Sequence, residues 1–242
     1  DKRIAIVGAK ILEVGKMVKI APSILSADFA KLARDIIILE NAGADYIHID
    51  VMDGMFVPNL SIGPQLIKCI RPYTNLVFDV HLMIVNPERY IERFIDAGSD
   101  FITIHFEATD KVEETIEHIK KCGAKAGLSI KPKTQVDDIK HLIEKVDMVL
   151  IMCVEPGFGG QRFILESLDK IRKMNALIKK YNPRCELEVD GGINIKNVKD
   201  VIKAGANVIV AGSAIFDKPD LAESVRAFRE QCDFIYINTN LV

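Results

Sequence analysis

No stretch of the 242 residues is apolar for the roughly 18 positions that a membrane-spanning helix needs, which removes that class of protein. The five cysteines (Cys69, Cys122, Cys153, Cys185 and Cys232) contain no CxxC pair. That spacing excludes a zinc knuckle and argues against a disulfide framework, so they read as reduced thiols of a cytoplasmic protein. A surplus of either charge is also missing. The formal net charge is -2, which gives neither nucleic acid nor an anionic membrane anything to hold. Gly8 follows an apolar run, but GAKILEVG lacks the GxGxxG spacing of a dinucleotide site. No linker or low-complexity segment divides the chain, so a single domain is expected over 19–232. Residues 1–18 (DKRIAIVGAKILEVGKMV) lack the long apolar core and small-residue cleavage site of a signal peptide. They are read as a leader, with Met17 a candidate natural start, and 233–242 as a C-terminal tail.

What is present is a rhythm. Short β-rich runs occur at 19–25, 46–52, 76–83, 101–107, 125–130, 148–154, 186–191 and 207–212. Helical patterns lie between them. Asp28 is a candidate cap for 29–42, Asn86-Pro87 opens the next-but-one helix, and glycines in NAGAD, DAGSD, KCGAK and KAGAN mark helix ends. Eight strands alternating with eight helices predict an α/β fold, a (β/α)8 TIM barrel in one domain. A doubly wound open sheet would leave elements unused.

The polar residues inside the strand runs fall near their C-terminal ends, the rim on which such barrels build active sites. Residues i and i+2 of a strand share a face, so HxD (48, 50), DxH (79, 81), HxE (105, 107) and ExD (188, 190) each aim two polar groups one way. A lone strand histidine is more often a core or surface group than a ligand. Four such pairs at one rim argue for a site. His48, Asp50, His81 and Asp190 could converge on one divalent cation, and imidazole with carboxylate suits Zn, Fe or Mn, and Co in vitro. Asp79 either orients the His81 ring or makes another tie within the barrel, and His105 with Glu107 is either an orienting pair or plain structure. His118 and His141 lie in helical patterns and receive no role. Asp53, before Gly54, reads as loop geometry, bonding its own backbone.

The loops carry a second signal. EPGFGGQRF (155–163) lets backbone N–H groups approach a ligand at Gly157, Gly159 and Gly160. DGGI and AGSAIF follow the seventh and eighth strands, where barrels often grip phosphate. A phosphate grip beside a metal-like cluster implies a small phosphorylated substrate.

The segments IAPSILSADFA (20–30), HIDVMDGMFVPN (48–59), DVHLM (79–83), VEPGFGGQRF (154–163), VDGGI (189–193) and AGSAIF (211–216) resemble, in order, the ribulose-phosphate 3-epimerase family. The resemblance implies a metal-dependent isomerase that interconverts D-ribulose 5-phosphate and D-xylulose 5-phosphate. It implies Asp50 and Asp190 as the acid/base pair, and His48, Asp50, His81 and Asp190 as ligands of one divalent ion. It implies substrate contacts from Ser23, His81 and Asp190, closure by Gly157, Phe158, Gly159 and Gly160, and a phosphate grip by Gly191, Gly192, Gly212 and Ser213. Met52, Met83 and Met152 sit at strand ends. They are core packing, or, as the resemblance implies, they line the site and shelter an enediolate. The resemblance also implies a homo-oligomer, with no nucleic-acid or membrane partner. Cys153 stands where the family usually has Ser or Thr, a change expected only to tune packing. Rival readings are an epimerase of a related ketose phosphate such as D-allulose 6-phosphate, a lyase or decarboxylase on the same barrel, and a non-catalytic phosphate-binding barrel. The lyase reading wants a rim lysine, and the nearest candidate, Lys131, is expected to be solvated.

Overall fold

The computed structural model of the chain describes residues 5–7, 10–12 and 18–239. Gly8, Met17, most of the leader and the last three residues lie outside the described residues. Two short strands of the leader, Ala5–Val7 and Lys10–Leu12, pair antiparallel. No helix among the described residues is long and apolar enough to cross a membrane.

Eight parallel strands form the sheet: β1 (Lys19–Pro22), β2 (Tyr46–Met52), β3 (Val77–Met83), β4 (Phe101–His105), β5 (Lys125–Ile130), β6 (Met148–Met152), β7 (Glu186–Asp190) and β8 (Val208–Ala211). Each strand from β2 to β8 pairs with the next, and β8 returns to β1. A single parallel bridge, Ser23 to His48, joins β1 to β2 and closes the barrel. The sequence-predicted (β/α)8 TIM barrel is therefore the fold.

Helices cover the outside: α1 (Leu32–Ala42), α2 (Pro64–Ile70), α3 (Ile91–Asp96), α4 (Val112–Lys121), α5 (Ser167–Tyr181), α6 (Val198–Ala204), α7 (Ser213–Phe216) and α8 (Leu221–Thr239). The four glycines read as helix stops, Gly43, Gly98, Gly123 and Gly205, all take positive φ, where a Cβ would strain the backbone. The last helix continues past residue 232 to Thr239, so most of the segment read as a tail is helical. Asp28 does cap, but it caps a short 3₁₀ turn, Phe29–Lys31, ahead of α1. Asn86 makes no side-chain cap, and Pro87 opens a 3₁₀ turn before α3. The fifth connection, Val136–Lys145, is a 3₁₀ helix where an α-helix was expected. Its buried Val136, Ile139 and Leu142 recur every three residues, a spacing that suits three residues per turn.

The period-two alternation of the strands separates two cores. In β2, Ile47, Ile49 and Val51 join the outer core against the helices, while Tyr46, His48, Asp50 and Met52 turn into the barrel. Each buried aliphatic side chain of the outer layer contributes about 1.5–3 kcal/mol. Inside, Ala21, Tyr46, Phe101, Met148, Val208 and Val210 form an apolar plug at the N-terminal end. Lys19, Tyr46 and Glu186 bond to one another at the same end. The plug leaves the C-terminal mouth as the open end.

Gly127 of β5 shows how tightly the interior is filled. A Cβ there would lie 2.1 Å from Thr103 Oγ1 and 3.2 Å from Thr103 Cα. Gly127→Ala is expected to cost about 1–3 kcal/mol of stability through overpacking. Urea unfolding of the variant checks it, and unchanged stability would mean the barrel wall yields freely.

Candidate active site

The C-terminal mouth holds a cavity of about 530 Å³. Its walls come from Ser23 on the β1 end, the methionines Met52, Met83 and Met152, the 156–163 loop, and the glycine turns after β7 and β8. Asp50 and Asp190 both line it. His48 and His81 do not. They lie beneath Asp50, fully buried.

The strand register assembles the cluster. Asp50 of β2 stands beside His81 of β3, and His48 beside Asp79. His48 Nε2 and His81 Nδ1 both turn toward Asp50 Oδ1, at 3.2 and 3.0 Å. Ser23 Oγ donates to Asp50 Oδ2 at 2.7 Å. One ligand atom from each of His48, Asp50, His81 and Asp190 lies within 4.8 Å of the others. That donor set fits one divalent cation of borderline softness.

The electrostatics agree with that fit. Burial works against an imidazolium at His48, but Asp50 and Asp79 outweigh it and raise its pKa well above the usual value. Burial would also raise Asp50, yet His48 and His81 pull its carboxyl far below the carboxylate range. A bound proton thus supplies the positive charge that a cation would otherwise bring to the same carboxylates. Deeper still, burial and then the charge of Asp79 push the Glu188 carboxyl well up. Among the described residues, neither Glu188 oxygen has a hydrogen-bond partner.

Burial first, and the Asp50 carboxylate second, push Asp190 up to about 6. Between about pH 4 and 6 the folded, metal-free chain holds a proton there that the unfolded chain has released. The resulting stabilisation is present below about pH 4 and is lost as pH rises through about 6. In chelator, the stability of Asp190→Asn relative to the wild type is therefore expected to increase by roughly 1–2 kcal/mol from pH 5 to 7. Urea unfolding of both proteins measures it, and a difference independent of pH would contradict the shift.

Above the cluster the loops lock together. Asn59 Nδ2 donates to the Gly157 carbonyl at 2.8 Å, tying the loop after β2 to the loop after β6. Gly192 takes φ +68, and a Cβ there would lie 2.4 Å from the Phe163 amide nitrogen, so the turn after β7 admits no side chain. Gly191, Gly192, Gly212 and Ser213 line the same wall, as do Gly157, Phe158, Gly159 and Gly160.

Known proteins share this chain's sequence over most of its length, and others share its barrel. The family model described as the ribulose-phosphate 3 epimerase family matches residues 19–216. The chain belongs to the ribulose-phosphate 3-epimerase family. It is 48% identical to the ribulose-phosphate 3-epimerase of Bacillus subtilis, over 88% of this chain and 99% of that one. It is 47% identical to the Synechocystis ribulose-phosphate 3-epimerase, over 89% of this chain and 95% of that one. Among solved structures, the 3-keto-L-gulonate-6-phosphate decarboxylase of Vibrio cholerae superposes with a TM-score of 0.70 at 16% identity, covering 91% of this chain and 99% of that one. That likeness shows the shared barrel. The epimerase match extends from before Ser23 to beyond Ser213, so it spans every residue of the cavity singled out from sequence.

Several details differ from the expectations. Of the two readings of Asp79, the structure takes the tie elsewhere in the barrel and not the one to His81. Asp79 sits 2.6 Å from His48 Nδ1, because the register places those two side by side. His105 and Glu107 do form a pair, at 3.2 Å, and His105 reaches His81 as well. Lys131 is half-buried, its Nζ 3.8 Å from the Phe56 ring centroid, and it does not line the cavity. Asp53 holds its loop as expected, its Oδ1 accepting from Met55 N at 2.8 Å and Phe56 N at 2.9 Å. Its other oxygen accepts from Val85 N. His141 is exposed, and half-buried His118 meets Glu92 outside the barrel. Cys153 is buried, and burial, then Asp190, push its thiol up to about 12. Asn59, Arg162 and Lys218 were missed from sequence. Asn59 and Arg162 lie inside the family-like segments 48–59 and 154–163, the one signal that pointed to them.

Proposed function

We propose that this chain is a metal-dependent ribulose-phosphate 3-epimerase that interconverts D-ribulose 5-phosphate and D-xylulose 5-phosphate at C3. The observation that carries the reading is the meeting of Asp50 and Asp190 carboxylates, from β2 and β7, on the cavity floor. Epimerisation removes a proton from one face of C3 and returns one to the other, through an enediolate with C2. Two carboxylates can divide that work, one taking and one giving. In the metal-free chain the two carboxyls are shifted in opposite directions, Asp50 down and Asp190 up, so the pair is not equivalent; a bound cation would favour the ionised form of both.

In this reading His48, Asp50, His81 and Asp190 hold one divalent ion, Zn, Fe, Mn or Co. Such an ion supplies positive charge where the C2 oxygen becomes anionic. Ser23 fixes the Asp50 carboxylate through its hydroxyl and touches the substrate, whereas His81, expected from sequence to touch it too, is buried beneath Asp50 and acts only through the ion. Gly191, Gly192, Gly212 and Ser213 present backbone N–H groups to the phosphate, and Arg162 and Lys218 add charge on that wall. The 157–160 segment closes over the sugar and excludes water. Met52, Met83 and Met152 shelter the enediolate without offering it a proton. The same reading makes the protein a cytoplasmic homo-oligomer, and Met55 and Leu60, 77% and 74% exposed, offer apolar surface for assembly.

Met52→Leu tests the sheltering role. It conserves volume and is expected to cost under about 1.5 kcal/mol of stability while lowering kcat several-fold. Equal losses of stability and turnover would make Met52 a packing residue only. Substrate class is tested by assaying D-ribulose 5-phosphate beside D-allulose 6-phosphate. The pentulose is expected to give at least about tenfold higher kcat/KM. A reversed preference would reassign the substrate, and turnover of neither would sink the reading.

A further inference from the structure

His81 reaches the cluster through Nδ1, so its other nitrogen decides what Nδ1 can do. His81 Nε2 lies 2.8 Å from His105 Nε2. Two imidazole nitrogens at that distance share one proton, one donating and the other accepting. If His105 donated, His81 would carry its own proton on Nδ1, aimed at Asp50, and would have no lone pair there.

The far end of the chain of bonds resolves the direction. His105 Nδ1 faces Glu107 Oε2 at 3.2 Å. The other Glu107 oxygen accepts from Lys131 N at 2.8 Å and from the Thr134 hydroxyl. A carboxylate held by two donors accepts and does not donate, so His105 carries its proton on Nδ1. A neutral His105 then has a bare Nε2, which can only accept from His81. Lys170 Nζ braces the same loop, donating to the Lys131 carbonyl at 2.6 Å and the Pro132 carbonyl at 3.2 Å. Phe56 packs on the His105 ring, with centroids 4.8 Å apart.

We propose that Glu107 and His105 are positioning residues that fix the tautomer of His81 and so keep its Nδ1 lone pair free for a divalent cation. The proposal rests on the reading of His81 as a cation ligand. It gives the HxE pair at the end of β4 a function at a distance: Glu107 touches neither substrate nor ion, yet it sets the proton order of two rings.

The first test uses the unmodified, metal-free chain with isotope-labelled histidine, at about pH 8, above the ordinary imidazole range. Ring nitrogen NMR is expected to show His105 protonated at Nδ1 and bare at Nε2, and His81 protonated at Nε2, whether or not a second proton on its Nδ1 meets the Asp50 carboxylate in the absence of metal. A His81 bare at Nε2 would overturn the relay. The second uses Glu107→Gln, which keeps the shape. Its single amide oxygen remains with Lys131 N and Thr134, which turns the NH2 group toward His105 Nδ1 and reverses both protons. Its Kd for Zn2+, by chelator competition, is expected to rise roughly 10- to 100-fold, with the metal-free unfolding midpoint little moved. A folded Glu107→Gln that binds Zn2+ within about twofold of wild type would overturn the proposal. A wild-type chain that binds no Zn2+ would overturn the cation reading itself, a result kept separate because the tautomer measurement uses no metal.

Discussion

Asp190→Asn is expected to lower kcat for D-ribulose 5-phosphate by about 10²- to 10⁴-fold, the range that a positioned acid or base contributes. The substitution keeps the shape of the side chain and removes only its ability to carry a proton to carbon. Stability should survive, because the folded chain already disfavours the ionised form: burial and the Asp50 charge push Asp190 up to about 6. Asp50→Asn should abolish turnover equally, but less cleanly. Asp50 accepts from Ser23 and balances the positive charge that His48 is biased to carry, so an amide there leaves charge uncompensated and costs stability as well. Steady-state kinetics with a melting curve for each variant separate the two effects. An Asp190→Asn enzyme retaining half the wild-type kcat would remove Asp190 from the acid/base pair.

Removal of metal is expected to have the second large effect. Dialysis against a strong chelator should reduce activity at least about 100-fold, in line with the several kcal/mol of charge stabilisation that a bound ion provides. Zn2+, Mn2+, Fe2+ or Co2+ should restore it, since two imidazoles and two carboxylates accept any of them. Reloading should also raise the melting temperature, because an ion that binds only the folded chain stabilises it by mass action, about 4 kcal/mol at a thousandfold excess over Kd. Asp190→Asn should show less of that gain. Full activity after exhaustive chelation, with metal content verified as negligible, would show that the cluster works on protons alone.

Much of this was legible in the sequence because strand alternation is local. HIDVMDG states by its i, i+2 spacing that His48 and Asp50 share a face, and the two do meet, at 3.2 Å. Asp53 was legible for the same reason, its bonds running mainly to its own turn. What was hidden depended on register between strands and on loops far apart in sequence. Nothing near Asp79 says that β2 and β3 align to place it on His48 and not on His81. Nothing near His105 says that its ring reaches across to β3. Nothing near Glu188 says that its carboxyl comes to 3.6 Å from His48 Nδ1 without a hydrogen bond, and the Asn59–Gly157 bond joins residues 98 positions apart. The 3₁₀ helix at Val136–Lys145 was disguised because its buried residues, Val136, Ile139, Leu142 and Ile143, also fall on one face of an α-helix.

The central claim is that one carboxylate removes the C3 proton and the other returns a different one. Incubation of D-ribulose 5-phosphate with the metal-loaded protein in D2O, followed by proton NMR, tests it most directly. D-xylulose 5-phosphate carrying deuterium at C3 is expected, because the returning acid is loaded from solvent. Product that keeps its original C3 proton, or no D-xylulose 5-phosphate at all, would contradict it.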